Sequence, residues 1–174
     1  MEKILRIFWH TFVKILDAVL GVIHIRLQET QRAALLQFMR FGFVGLSGTI
    51  LGYLIYLVVL LLFQTVEGAE YFDYLIGNVV SWVLGVLWNF HWNRKYVFTD
   101  FNKQVPWLRA LVKMYIGYAF SGLIICNILS FLWVELLKID KAWAPILNLT
   151  VTVPINYLMN KFWTFRGKSD LDQT

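Results

Sequence analysis

The sequence predicts an all-α membrane protein: four transmembrane helices forming two parallel helical-hairpin repeats, preceded by an amphipathic helix at the membrane interface. Three observations lead there. Hydrophobic residues make up 59% of the 174 residues and charged ones 16%, more apolar surface than one soluble core of this size can hide. Four stretches, 41–66, 74–93, 114–134 and 142–160, carry no Asp, Glu, Lys or Arg, and each matches the roughly 20 helical residues needed to cross a bilayer core. A ten-residue pattern recurs at the ends of the second and fourth stretches.

The first element, 1–32, carries Lys3, Arg6, His10, Lys14, Asp17, Gly21 and His24 at intervals of three or four, with Ile4, Phe8, Phe12, Ile15, Val19, Val22 and Ile23 on other faces. This pattern predicts an amphipathic helix lying in the cytoplasmic interface. Charges interrupt its apolar face too often for a signal peptide. His10 and His24, two heptads apart, read as interfacial polar groups, not metal ligands.

The membrane domain is expected over 37–166, with spans at about 41–63, 74–93, 114–134 and 142–161 and a cytoplasmic tail at 167–174. In the first span Gly42, Gly45, Gly48 and Gly52 allow close approach of a neighbouring helix, and Gly45, Gly48 and Gly52 are assigned to helix packing. Lys and Arg cluster before the first span, between the second and third, and after the fourth. The loop after the first span instead carries Glu67, Glu70 and Asp73. That asymmetry predicts cytoplasmic amino and carboxyl termini in a multi-pass protein of the cytoplasmic membrane. The net charge of +5 is therefore read as topology and lipid contact, with no nucleic-acid partner. The single Cys126 lies in an apolar run, which excludes a disulfide framework and a cysteine metal cluster.

The repeated pattern is Asn89-Phe90-His91-Trp92-Asn93-Arg94-Lys95-Tyr96-Val97-Phe98 against Asn156-Tyr157-Leu158-Met159-Asn160-Lys161-Phe162-Trp163-Thr164-Phe165. Two spans separate the copies, so both enter the membrane from the same side and are parallel repeats. Within each, asparagines four apart share one helical face. Interhelical hydrogen bonding is one role for them. The other is to bind a polar headgroup: Asn89, Asn93, Asn156 and Asn160 supply directional bonds, while Arg94 and Lys161 supply charge for a phosphate or sugar. Arg40, His91, Trp92, Tyr96, Phe98, Trp163 and Phe165 are supporting residues around these ends. No carboxylate lies within the four stretches, which argues against a proton-coupled drug exporter of similar size.

With Arg40-Phe41 leading into the glycine-rich first span and the two Asn-aromatic-x-x-Asn-basic ends, the chain resembles the GtrA-like family of small four-helix membrane proteins over about Gln37 to Arg166. The resemblance implies no enzyme activity, no cofactor and no metal. It implies flipping of a polyprenyl-phosphate-linked sugar, such as one on undecaprenyl phosphate, across the cytoplasmic membrane for cell-wall, teichoic-acid or O-antigen glycosylation. The partners expected are that lipid-linked sugar, membrane lipids, a membrane glycosyltransferase and further copies in a homo-oligomer. The alternative is a non-transporting accessory or scaffold subunit of the glycosyltransferase.

Overall fold

The computed structural model describes residues 2–22, 24, 27–63, 73–99 and 105–166. All regular structure among them is helical. The chain divides into two compact units, Met1–Met39 and Arg40–Thr174, and each is described by itself; the tail at 167–174 and the acidic loop at 67–70 lie outside the described residues.

In the first unit, α1 spans Glu2–Val22. It ends where His24 takes a left-handed conformation, φ 57°, and its N–H closes on the Gly21 carbonyl at 3.2 Å. This is how a helix commonly terminates. His24 thus belongs to the turn and does not extend the polar stripe of His10. The next helix, α2, runs Glu29–Phe63; the Gln31 side chain caps it by accepting the Gln28 N–H at 3.0 Å, with Glu29 in the first, electropositive turn. Residues 29–32, grouped by sequence with the amphipathic segment, are therefore the start of α2. The Arg32 guanidinium grips the Asp17 carboxylate with two hydrogen bonds, Nε to Oδ1 at 3.1 Å and Nη2 to Oδ2 at 2.7 Å. That pairing holds the Asp17 carboxyl below the ordinary carboxylate value.

The second unit takes the rest of α2 and then α3 (Asp73–Trp92) with a π-turn at Asn93–Val97. After Pro106 comes α4 (Trp107–Phe120), which passes through a π-turn at Ser121–Ile125 into α5 (Cys126–Phe131) and a further π-turn at Leu132–Leu136. Lys138, at φ 57°, turns the chain. The Asp140 carboxylate accepts the Ala142 N–H at 2.8 Å, and α6 (Ala144–Met159) then runs through Pro154 to a π-turn at Asn160–Thr164.

Two stretches, Glu29–Phe63 and Trp107–Leu136, are long and apolar enough to cross a membrane, with mean hydropathies of 2.3 and 1.8. Their outward faces carry exposed apolar side chains such as Leu54, Val58, Leu61, Leu123 and Ile128, which a lipid surround solvates and water would not. The helices bearing the asparagine motifs, α3 and α6, are shorter than these two stretches, at 20 and 16 residues.

The α2–α3 hairpin packs through small residues in a strict register. A Cβ on Gly85 would lie 3.7 Å from the Gly48 carbonyl, one on Gly52 would lie 3.6 Å from the Ser81 carbonyl, and one on Gly77 would collide with the Tyr56 ring at 2.8 Å. The pairs step four residues at a time in opposite directions, one helical turn per rung of an antiparallel crossing. Gly48 and Gly52 thus lie on the face that meets α3, whereas a Cβ on Gly45 would meet nothing within 4 Å; Gly45 lies off that face. Trp88 Nε1 donates to Ser47 Oγ at 3.0 Å across the same hairpin.

The hairpin of α5 and α6 is fastened differently. The Asn148 amide donates to Ser130 Oγ at 2.8 Å and the Cys126 carbonyl at 3.3 Å, and its oxygen accepts from Trp133 Nε1 at 3.2 Å. Each such bond is worth about 0.6 kcal/mol on average between membrane helices.

Candidate functional site

Both asparagine motifs end in the same local structure. The second asparagine of each pair opens a π-turn that closes on the final phenylalanine: the Phe98 N–H donates to the Asn93 carbonyl at 2.8 Å, and the Phe165 N–H donates to the Asn160 carbonyl at 3.0 Å. A π-turn inserts one residue into the helix and redirects the chain beyond it. Here it sends both phenylalanines inward. Phe98 and Phe165 stack at 4.9 Å with 23° between their planes. Each also meets the aromatic residue of the other motif, Phe90 to Phe165 at 5.9 Å and Tyr157 to Phe98 at 6.0 Å. Phe41, at the mouth of the glycine-rich stretch, adds edge contacts to Phe98 and Tyr157 at 6.3 and 5.6 Å. The contacts are reciprocal, and the cluster they form excludes solvent: Phe98 is 0% and Phe165 1% exposed.

The correspondence reaches back along each helix. Gly77, Ser81 and Gly85 precede Asn89 at four-residue steps, and Ala144, Asn148 and Thr152 precede Asn156 at the same steps. Gly77, Gly85, Ala144, Asn148 and Thr152 are buried, so each asparagine pair continues a small or polar stripe facing a neighbouring helix. That spacing of small residues in α3 was the available sequence signal for the crossing partners of Gly48 and Gly52.

The polar groups at the two ends are satisfied unequally. Asn160 is buried, and its amide donates to the Asn156 carbonyl at 2.9 Å and to the Tyr118 hydroxyl at 3.5 Å. Asn93 is 0% exposed, yet neither its oxygen nor its nitrogen has a hydrogen-bond partner among the described residues. The Oδ1 atoms of Asn89 and Asn156 are likewise buried and unpartnered there. In a low-dielectric interior each orphaned polar atom costs about 1–3 kcal/mol. Asn89 is seated on Gly48, where a Cβ would come within 2.7 Å of its Cγ and Nδ2 atoms; glycine is what lets the amide lie there.

The two cations are placed differently as well. Arg94 donates from Nη2 to the Val105 carbonyl at 3.0 Å and lies 5.9 Å from the Phe90 ring. Lys161 donates to the Tyr157 hydroxyl at 3.4 Å, above that ring at 5.6 Å. Among the supporting residues, Phe98 and Phe165 form the buried stack and Trp92 and Tyr96 stack at 5.2 Å beneath Lys95. The Trp163 carbonyl accepts Lys113 Nζ at 2.8 Å, while the Lys113 ammonium lies 5.7 Å from the Trp163 ring. His91 and Arg40 are exposed, and His91 meets Trp92 edge to face at 5.5 Å. Tyr118, Val105, Lys113 and Asn148 are contacts that the sequence pattern does not single out.

A groove of about 940 Å³ opens beside Asn89. Its floor is Gly48, Gly52, Gly85 and Gly122, and Tyr53, Tyr56, Trp82 and Tyr118 line its sides. From Asn89 to Asn78 at its other end it follows α3, about 16 Å at 1.5 Å per residue, or about half the hydrocarbon thickness.

Residues 40–165 match the family described as GtrA/DPMS, transmembrane domain. Among curated proteins, the chain is 29% identical over 96 residues to the cell wall teichoic acid glycosylation protein GtcA of Listeria monocytogenes serovar 1/2a, covering 55% of this chain and 66% of that one. It is 29% identical over 94 residues to the protein of the same name in Listeria innocua serovar 6a, covering 54% and 65%. The chain thus spans just under two thirds of the length of these relatives. No solved structure matches. With a family match over most of the chain and two helices able to cross a bilayer, this is a membrane protein that belongs to the GtrA/DPMS transmembrane domain family.

Proposed function

We propose that the chain is a non-catalytic carrier that flips a polyprenyl-phosphate-linked sugar across the cytoplasmic membrane for glycosylation of a cell-envelope polymer. In this reading α2, α3, the α4–α5 stretch and α6 are four spans arranged as two parallel repeats within 37–166, and 1–32 lies at the interface. Both termini and both asparagine ends face the cytoplasm, as the Lys and Arg distribution supports. The observation that carries the reading is the pairing of buried, hydrogen-bond-deficient asparagine amides and a half-buried arginine with an adjoining apolar groove. A phosphate bearing a sugar offers acceptors and hydroxyl donors to amides and guanidinium together, while a lipid tail stays in an apolar channel open to the bilayer. The Listeria relatives, named for teichoic acid glycosylation, support the same process.

The test is transport of a labelled lipid-linked sugar in vesicles by the purified chain and by a variant combining Asn89→Ala and Arg94→Ala. Transport should vanish in the variant while expression and fold persist. Undiminished transport by a stably folded variant would reject the site.

A second reading, a non-transporting scaffold for a membrane glycosyltransferase, is favoured by one observation: Met1–Met39 is a compact unit of its own, suited to partner docking. Its mark would be loss of the enzyme from membranes on deletion of 1–32, with no lipid movement by the purified chain.

A further inference from the structure

We infer that the two repeats are functionally unequal: the Asn89, Asn93 and Arg94 end of α3 receives the phosphate of a lipid-linked ligand whose hydrocarbon chain lies in the adjoining groove, whereas the Asn156, Asn160 and Lys161 end of α6 is a structural counterpart. This rests on the carrier reading above and assigns its binding site to one of the two copies.

Three independent observations separate the copies. The first is hydrogen-bond satisfaction. In the first copy both amide atoms of Asn93 and the carbonyl of Asn89 are buried without partners among the described residues; in the second only the carbonyl of Asn156 is, because Asn160 is bound to Tyr118 and to the Asn156 backbone. An unsatisfied buried polar atom calls for a partner from outside the chain, a water, an ion or a ligand, and the first asparagine pair carries three such atoms to the second pair's one.

The second observation is the stripe beneath each pair. Under Asn89 it is Gly85, Ser81 and Gly77; Gly85 and Ser81 line an open groove, and Gly77 is covered by the Tyr56 ring. Under Asn156 it is Thr152, Asn148 and Ala144, and Asn148 closes the crossing with three hydrogen bonds. The groove therefore ends on Asn89. Its volume of about 940 Å³ corresponds to about 30 water-sized groups at 30 Å³ each. That suits one hydrocarbon chain laid along the groove, whose lining is mostly apolar.

The third observation is the cation. Arg94 carries a planar guanidinium, with Nη2 on the Val105 carbonyl, whose geometry matches phosphate, whereas Lys161 is a point charge directed to a tyrosine hydroxyl.

The experiment measures binding of a polyprenyl phosphate to the full chain in lipid nanodiscs, for Asn89→Ala, Asn93→Ala, Arg94→Gln, Asn156→Ala, Asn160→Ala and Lys161→Gln. Thermal midpoints identify folded variants, and half-exposed Lys161→Gln keeps the second-copy arm readable if Asn160→Ala fails to fold. First-copy variants should bind about ten- to a hundredfold more weakly, the loss expected for a hydrogen bond to a charged group, and folded second-copy variants should stay within about twofold. The unphosphorylated polyprenol should compete poorly, and inorganic phosphate should not compete at all. Equal losses in the two copies would overturn the inequality while leaving the carrier reading intact; unchanged binding in every variant would overturn both. Polyprenol competing as well as its phosphate, or crosslinking of a Tyr53→Cys groove to a second copy, would overturn the assignment of headgroup and chain.

Discussion

Replacing Asn93 with leucine should make the protein more stable and less functional at once. The side chain is fully buried, and neither amide atom has a partner among the described residues. Leucine has the same branched outline and leaves nothing unsatisfied. Relief of even one of these orphaned polar atoms amounts to about 1–3 kcal/mol, which for a chain of this size raises the unfolding midpoint by about 2–12 °C. Asn160→Leu, at the equivalent place in the other motif, should do the reverse. It removes the side-chain donor to the Tyr118 hydroxyl and to the Asn156 carbonyl; that carbonyl keeps the Asn160 backbone N–H, while the Tyr118 hydroxyl loses its partner among the described residues at a cost of about 1–3 kcal/mol. Thermal unfolding of the two variants in the same detergent, followed by tryptophan fluorescence, gives the comparison directly. A fall in midpoint for Asn93→Leu as large as that for Asn160→Leu would show that Asn93 is a structural hydrogen-bonding residue and refute the reasoning.

Other consequences arise from the same geometry. Gly48→Ala should displace the Asn89 amide and weaken ligand binding about tenfold or more, whereas Gly45→Ala, which meets nothing within 4 Å, should be silent; equal effects would contradict the seating of Asn89. Asn148→Ala should lower stability by about 1–3 kcal/mol by breaking the clamp on α5 and leaving Ser130 and Trp133 unpaired, read as a reduced unfolding midpoint with ligand binding retained by the folded fraction. The Asp17 carboxyl, held down by Arg32, should titrate below the ordinary value of about 3.9. The folded-state value is depressed, so the stabilisation is complete above that ordinary value and is lost as pH falls through the lower, folded one. Arg32→Gln should return the titration to the ordinary range, and an NMR titration showing no change on that substitution would remove the pairing.

Range of interaction decides which features are legible in the sequence. The apolar runs, the repeated Asn-aromatic-x-x-Asn-basic ends and the grouping with the GtrA-like family are local patterns, and each is visible there. The break at Val22 is hidden because the apolar and polar periodicity continues past Gly21 to His24, while the chain there adopts a left-handed turn. Gly45 looks equivalent to Gly48 by composition, but only the latter lies on the four-residue stripe that meets Gly85 and Asn89. The π-turns have no signature of their own; a helix with one residue inserted has the same composition as one without. The unequal satisfaction of Asn93 and Asn160 depends on Tyr118, forty-two residues from Asn160, and no spacing rule within either motif could reveal it.

The central claim is that this chain by itself moves a lipid-linked sugar, with no second protein. Purified protein should be reconstituted into sealed vesicles carrying a fluorescent polyprenyl-phosphate sugar, and a membrane-impermeant quencher should report how much label reaches the outer leaflet. Label should exchange between leaflets in proportion to the protein incorporated, while protein-free vesicles retain their inner-leaflet fraction. Retention of that fraction in vesicles with correctly folded protein would contradict it and favour the scaffold.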